Sequence, residues 1–310
     1  MKSLSVALTC LMIVFAVSAV AQDDPYLSKT FSIDGPGDLV VKTAGGSIGV
    51  EGYAGNEVAV EVYVKPNGGW SLFGSDDDDI EEILEDYTIS VEQKGTTVTA
   101  IAERKGSGWG NSRASISFRV KVPTTTSCEL STSGGSIDLA NVEGAHDINT
   151  SGGGLEFRNI TGTTEAHTSG GGIDIREHTG VLDARTSGGS INVNQAEGNV
   201  LLRTSGGSID LENIRGTIDA STSGGSIDAE IEQLGEFVKL NTSGGSITAT
   251  LPEGQGLDLE LSGNRVNTKL VNFTGESDKN SINGSVNGGG VPVNMHTSGG
   301  SVNLNYKGTM

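Results

Sequence analysis

The hexapeptide Thr204-Ser205-Gly206-Gly207-Ser208-Ile209 recurs, exactly or nearly so, through the second half of the chain. Its threonine falls at Thr132, Thr150, Thr168, Thr186, Thr204 and Thr222, each 18 residues after the last, and then at Thr242 after 20. A further copy starts at Thr297, and an early one, Thr43-Ala44-Gly45-Gly46-Ser47-Ile48, stands by itself near the N-terminus. A fixed period of this length predicts a stacked architecture in which each repeat buries its apolar face against its neighbours.

One repeat shows which stack is meant. Val200, Leu202 and Thr204 alternate before Gly206-Gly207, and Ile209 and Leu211 alternate after it, up to a second turn at Asn213-Ile214-Arg215-Gly216. This is period two, twice per coil, with the apolar residues on one face. The other repeats hold the same register: Cys128 and Leu130, Leu182 and Ala184, Ile218 and Ala220 before the turn, and Ile137 and Leu139, Ile173 and Ile175, Ile191 and Val193 after it. A slip of one residue would turn all of these outward, so the period fixes the register. The predicted fold is all-β, a single-stranded parallel β-helix or solenoid with coils of 18 residues.

The paired glycines mark the corners: Gly45 and Gly46, Gly134 and Gly135, Gly152 and Gly153, Gly170 and Gly171, Gly188 and Gly189, Gly206 and Gly207, Gly224 and Gly225, Gly244 and Gly245, and Gly299 and Gly300. Two causes are expected for them, a positive φ and the close approach of stacked backbones. The threonine column and the serine column beside it, Ser133 to Ser243, are expected to form hydroxyl ladders from coil to coil.

Residues 1–21 read as a secretory signal peptide: Lys2, an apolar run from Leu4 to Val17, then Ala19-Val20-Ala21. That run is too short and wrongly flanked for a membrane span. The chain has a formal net charge of −19, and removal of Lys2 would leave 39 acidic against 19 basic residues. Such a surface repels nucleic acid and anionic lipid. Cys128 would then be the one remaining thiol, read as an ordinary small core residue.

Residues 22–125 form an N-terminal cap that includes a first coil, since Leu39, Val41, Thr43, Ile48 and Val50 fit the coil pattern. Longer strands are expected over 58–64, 87–91, 97–102 and 115–122, with one short helix over 76–86, a loop carrying Trp70 and Phe73, and a glycine-rich hairpin loop carrying Trp109. Residues 126–252 are the regular solenoid. Residues 253–310 are degenerate coils, with corners expected at Leu261-Ser262-Gly263-Asn264 and Ile282-Asn283-Gly284-Ser285-Val286. Val302, Leu304 and Tyr306 are placed on the last strand, an uncovered parallel edge through which a second copy could pair, unless 254–290 fold back as a lid.

With Thr43-Ala-Gly-Gly-Ser-Ile, Val120-Lys121-Val122-Pro123 and the Thr-Ser-Gly-Gly coils with their Asn-x-x-Gly second corner, the chain resembles a family of exported bacterial proteins labelled putative adhesins, which have a β-helical domain of unknown function. The resemblance covers residues 31–304. It implies a bacterial envelope protein without an assigned reaction.

Other functional classes are open on the residues themselves. Some β-helices are polysaccharide lyases or hydrolases, and outward columns here carry acids: Asp138, Glu156, Asp174, Asp210 and Asp228 on one strand, and Glu129, Asp147, Glu165, Asp183 and Asp219 on the other. These columns obey the repeat, whereas an active site breaks one. Stacked carboxylates could hold Ca²⁺, but the slot filled by Asp in the glycine-rich calcium repeat holds Leu211. A surface-lattice binder needs outward threonines, and the threonine column faces inward. His146 is on the inward parity, His167 and His296 face out, and His178 lies at the second corner. No catalytic, cofactor-binding or metal residues are assigned. The reading is a non-enzymatic scaffold of the periplasm, cell surface or medium. It would bind an envelope or extracellular protein or glycan through its sheets, or through the loops at Trp70, Phe73 and Trp109.

Overall fold

The computed structural model describes residues 24–67, 82–105 and 114–308. Its regular part is built from β8 (Thr126–Thr132), β9 (Ile137–Thr150), β10 (Leu155–Thr168), β11 (Ile173–Thr186), β12 (Ile191–Arg203), β13 (Ile209–Thr222) and β14 (Ile227–Thr242). From β9 on, each pairs in parallel with the next, Leu155 lying beside Ile137 on one side and Ile173 on the other. The core is a set of columns along the stack. Ile137, Leu155, Ile173, Ile191, Ile209, Ile227 and Ile247 form one such column, all buried. The expected solenoid is therefore the fold.

The second corner is a bend within a strand that keeps its neighbours. Asn141, Asn159, Glu177, Gln195 and Asn213 are left-handed there, with φ between 53° and 61°. Three residues on, Gly162, Gly180, Gly198 and Gly216 have φ of 119° to 143°. These two reversals turn the chain while pairing continues, so a single long strand replaces the two short ones expected. Asparagine tolerates this conformation because its short amide bonds locally, and Asn159 Nδ2 donates to Asn141 Oδ1 of the coil before at 3.0 Å.

At the first corner one expectation fails. None of the paired glycines, from Gly45 and Gly46 to Gly299 and Gly300, has φ in the left-handed region. Crowding alone demands them, and chiefly at the second of each pair. A Cβ on Gly207 would lie 2.1 Å from Gly189 O, whereas one on Gly206 would lie 3.1 Å from Gly188 O.

The threonines also differ from expectation. They form no hydroxyl ladder with each other. Thr204 Oγ1 donates to Gly189 O of the preceding coil at 2.8 Å and accepts the Gly207 N–H of its own corner at 3.3 Å. Thr186, Thr222 and Thr242 repeat both bonds. Each buried hydroxyl is thus satisfied by backbone, the outcome that burial requires. Ser133 to Ser243 are exposed. The ordered serines are instead those after the glycines, where Ser208 N–H donates to Ser190 Oγ at 3.1 Å.

Both ends are intercalated. Near the N-terminus lie β1 (Leu27–Ser32), β2 (Gly37–Thr43), β3 (Ile48–Tyr53), β4 (Glu57–Pro66), β5 (Tyr87–Lys94), β6 (Thr97–Arg104) and β7 (Ala114–Pro123). The coil β2–β3 is held between β8–β9 on one side and β6–β7 on the other. Thr132 Oγ1 accordingly donates to Gly46 O, 86 residues away in sequence, at 2.8 Å. Antiparallel strands close the end, β5 on β6 and β4 on β7, with β1 outside β4. β6 pairs with β2 and β5, and β7 with β3 and β4; the glycine-rich loop expected between them, over 106–113, lies outside the described residues. Of the expected helix, 82–84 are helical, and its earlier residues lie outside those described.

The C-terminal end repeats the device. β15 (Ile247–Pro252) is followed by β16 (Leu257–Ser262), β17 (Arg265–Thr268), β18 (Phe273–Ser277), β19 (Ser281–Val286), β20 (Val291–Thr297) and β21 (Ser301–Lys307). β20 pairs in parallel with β14 and β16, and β21 with β15 and β17. The last strand is therefore internal, with Val302 and Leu304 buried. It is not the uncovered edge that self-pairing through Val302 to Tyr306 would need. β19 and β18 fold back in antiparallel fashion over β16, the lid alternative. Residues 282–286 thus form a strand of that lid, not a degenerate corner, whereas Ser262-Gly263-Asn264 does turn between β16 and β17.

Candidate functional site: outward columns and a buried histidine pair

The parallel register gives each coil two outward faces whose side chains stack on those of the coils before and after. On the face of the β9–β15 first halves, Asp138, Glu156, Asp174, Asn192, Asp210, Asp228 and Thr248 form one column. On the opposite face Glu129, Asp147, Glu165, Asp183, Leu201, Asp219 and Lys239 form another. The expected acidic columns exist, and neighbours of opposite charge or amide character interrupt them. Asn192 Nδ2 donates to Asp174 Oδ1, and Asn194 Nδ2 to Glu212 Oε2, both at 2.7 Å.

Basic residues pair along and across the columns. Arg185 holds Asp183 through two bonds, of 2.9 and 2.6 Å, and Arg215 holds Glu232 through two, of 2.9 and 2.7 Å. Lys239 and Arg203 reach Asp219 at 3.4 and 3.8 Å. The basic partners are about half exposed, so each pair contributes only a few tenths of a kcal/mol. Partial burial, reinforced by the carboxylates of Asp228 and Glu212, pushes the Asp210 carboxyl up. Burial and Glu156 do the same for Asp138, opposed by Arg158.

Among the described residues no three His, Cys, Asp or Glu side chains are placed to hold a metal. Near the N-terminal end an open cleft of about 360 Å³ is lined by Ile33, Pro36, Tyr53, Asn56, Pro123 and Thr124, with no acid or base among its lining residues. The Tyr53 hydroxyl there is occupied, donating to Glu57 O at 3.0 Å and accepting the Glu57 N–H at 3.2 Å. Trp70, Phe73 and Trp109, the candidate interaction loops, lie outside the described residues.

Inside the core a polar cluster of His146, Thr164 and His178 breaks the apolar columns. His146 follows Cys128 in its column and precedes Thr164. His178 occupies the column of Val142, Ile160 and Ala196, and its Nε2 shares a hydrogen bond of 3.1 Å with Thr164 Oγ1. Both rings are buried, and His146 Nδ1, His146 Nε2 and His178 Nδ1 have no hydrogen-bond partner. Burial holds each imidazole neutral, with a pKa lowered to about 4, and for His146 the proximity of His178 adds to this. The inward parity of His146 announced its burial. That of His178 was hidden, because the left-handed Glu177 before it shifts the parity at the bend. Cys128 is buried as expected, its thiol pushed up to about 12 chiefly by burial.

Stacked coils cornered by glycine, closed by antiparallel strands and faced by ordered charge define a β-solenoid. The chain belongs to the Toastrack DUF4097 family, whose pattern matches residues 107–305. No curated protein matches it. Among solved structures it is similar to a putative cell adhesion protein from Clostridium sporogenes, at 10% identity over 91% of this chain and 99% of that one, with a TM-score of 0.25. It is also similar to two proteins of Parabacteroides distasonis. One is a putative lipid binding protein, at 12% identity over 92% and 97% of the two chains, with a TM-score of 0.39. The other is a putative adhesin, at 14% identity over 91% and 98%, with a TM-score of 0.34.

Proposed function

We propose that this protein is a non-catalytic, exported interaction scaffold of the bacterial envelope or surface, which presents its two stacked faces to a protein or glycan. The observation that carries this reading is the regularity of the outward columns. Their members follow the coil period through β9 to β13, at the interstrand spacing of about 4.8 Å. A face of that kind offers many weak, evenly spaced contacts, which suits a repetitive partner better than a single small substrate. Membership of the adhesin-like family and the leader-like residues 1–21 favour export.

Cell fractionation, with and without protease added to intact cells, tests the location. A chain recovered in the cytoplasm with residues 1–21 still attached overturns export. Binding of the purified protein to envelope glycans and surface proteins, compared with a variant in which Asp174, Asp210 and Asp228 are replaced by Lys, tests the face. Equal binding by both forms removes that face from the proposal.

A further inference from the structure

The coil 291–307, like β2–β3 at the other end, is intercalated between coils that are not its neighbours in sequence. On one side it rests on β14 and β15, and on the other on β16 and β17, all of which precede it in the chain. It makes the contacts that consecutive coils make. Thr297 Oγ1 donates to Gly245 O at 2.7 Å across 52 residues, Ser301 N–H donates to Ser246 Oγ at 3.1 Å, and a Cβ on Gly300 would meet Gly245 O at 2.1 Å.

The connection leading into it is unusual. Asn287, Gly288, Gly289 and Gly290 all have positive φ, at 51°, 87°, 83° and 157°. Leu257 is the register partner of both Val286 and Val291, so this connection passes over the start of β16. Asp258 clasps it, accepting the Ser285 hydroxyl at 2.6 Å and the Gly290 N–H at 3.2 Å.

We infer that coil 291–307 is an exchangeable element, and that the partner fitting the space between β14–β15 and β16–β17 is the same coil of a second copy of this chain. The contacts of the coil, to the repeat on one side and to β16–β17 on the other, are made to residues that a second copy presents identically, so exchange loses none of them. Only the connection distinguishes the closed form from the exchanged one. It must span two interstrand spacings, about 9.6 Å. Without Gly288 and Gly289, three peptide units remain between Val286 and Val291, which reach about 10–11 Å when fully extended. That leaves no slack for passing over Gly256, whose carbonyl accepts the Val291 N–H at 3.0 Å. The shortened connection therefore opposes the closed form, whereas in the exchanged form it need not cross its own β16.

The test uses full-length chains carrying Cys10→Ser. One has Asn241→Cys and the other His296→Cys, at positions that are register partners on β14 and β20. Cys128, buried, stays out of the oxidation. Each chain then has one accessible thiol, and exchange brings the two together as register partners; the same oxidation of chains mixed only after folding, with no unfolding step, gives the collisional background that the exchanged sample must exceed. After joint partial unfolding and refolding, the parent connection is expected to give the mixed disulfide near about 1 mM protein, where the second copy matches the effective concentration of a short tether. The chains lacking Gly288 and Gly289 are expected to give it at micromolar protein and to run as dimers. A shortened chain that folds as a monomer without mixed disulfide overturns the inference. If the shortened chain does not fold, absence of the mixed disulfide from the parent pair at about 1 mM overturns it equally.

Discussion

At the residue scale the two glycines of a corner are not equivalent. Gly207→Ala forces a Cβ against the Gly189 carbonyl, which is backbone that cannot yield without displacing the whole coil. It is expected to destabilise the protein by about 3 kcal/mol or more. Gly206→Ala meets looser surroundings and gains from a stiffer unfolded chain, so its effect should stay within about 1 kcal/mol. Urea unfolding of the two variants separates them, and equal losses would mean that crowding is not what selects glycine. The left-handed column offers the opposite change. Glu177 and Gln195 stand where Asn141, Asn159 and Asn213 stand in other coils. Glu177→Asn should raise stability by about 1 kcal/mol, since asparagine is at ease in that conformation and can extend the amide ladder from Asn159. A lower melting temperature for that variant would contradict this account.

At the element scale the buried histidines predict a pH dependence. Each has a folded value of about 4 against an ordinary 6.5, so the unfolded chain takes up protons first as the medium is acidified. The stability due to keeping them neutral is fully present above pH 6.5 and is lost as pH falls to 4, by up to about 3 kcal/mol per ring. Replacing His146 by Leu and His178 by Ile, side chains already found in their columns, should flatten the curve over that window. Urea midpoints at pH 7 and 4.5 measure it, and an unchanged difference between parent and variant would sink the assignment. The same elements show what the sequence discloses. The strand pattern of Val200 to Leu211 and the corner glycines made the solenoid legible, because period and parity are local properties. The separated copies at Thr43 and Thr297 were legible as coils but not as neighbours of Thr132 and Thr242. Which strand fills a gap depends on contacts 52 and 86 residues apart, and no local pattern encodes them. Similarly, parity names the outward acids and puts Arg185 beside Asp183, two residues away on one face, whereas the Arg215–Glu232 pairing depends on the bend at Asn213 and the register shifts in β14.

At the scale of the whole molecule the net charge of −19 acts against compaction. Monovalent salt should raise the melting temperature by screening. Ca²⁺ should do no more than Mg²⁺ at equal ionic strength, because the carboxylate columns are broken by amides and paired with arginines. A saturable rise with Ca²⁺ and none with Mg²⁺ would instead establish a specific site and reopen the case for a calcium-dependent glycan enzyme.

The coils between Thr132 and Thr222 are of one length and meet through one set of contacts, so this molecule can be lengthened or shortened in whole steps. Deleting residues 187–204 rejoins Thr186 to Ser205 and restores the corner word. The product should fold, with a rod shorter by about 4.8 Å and the same pitch on both faces. Each face is in that sense a gauge: a partner that grips several coils would be lost by reach while its chemistry stayed intact, and counting the coils needed for binding would measure the partner's own repeat.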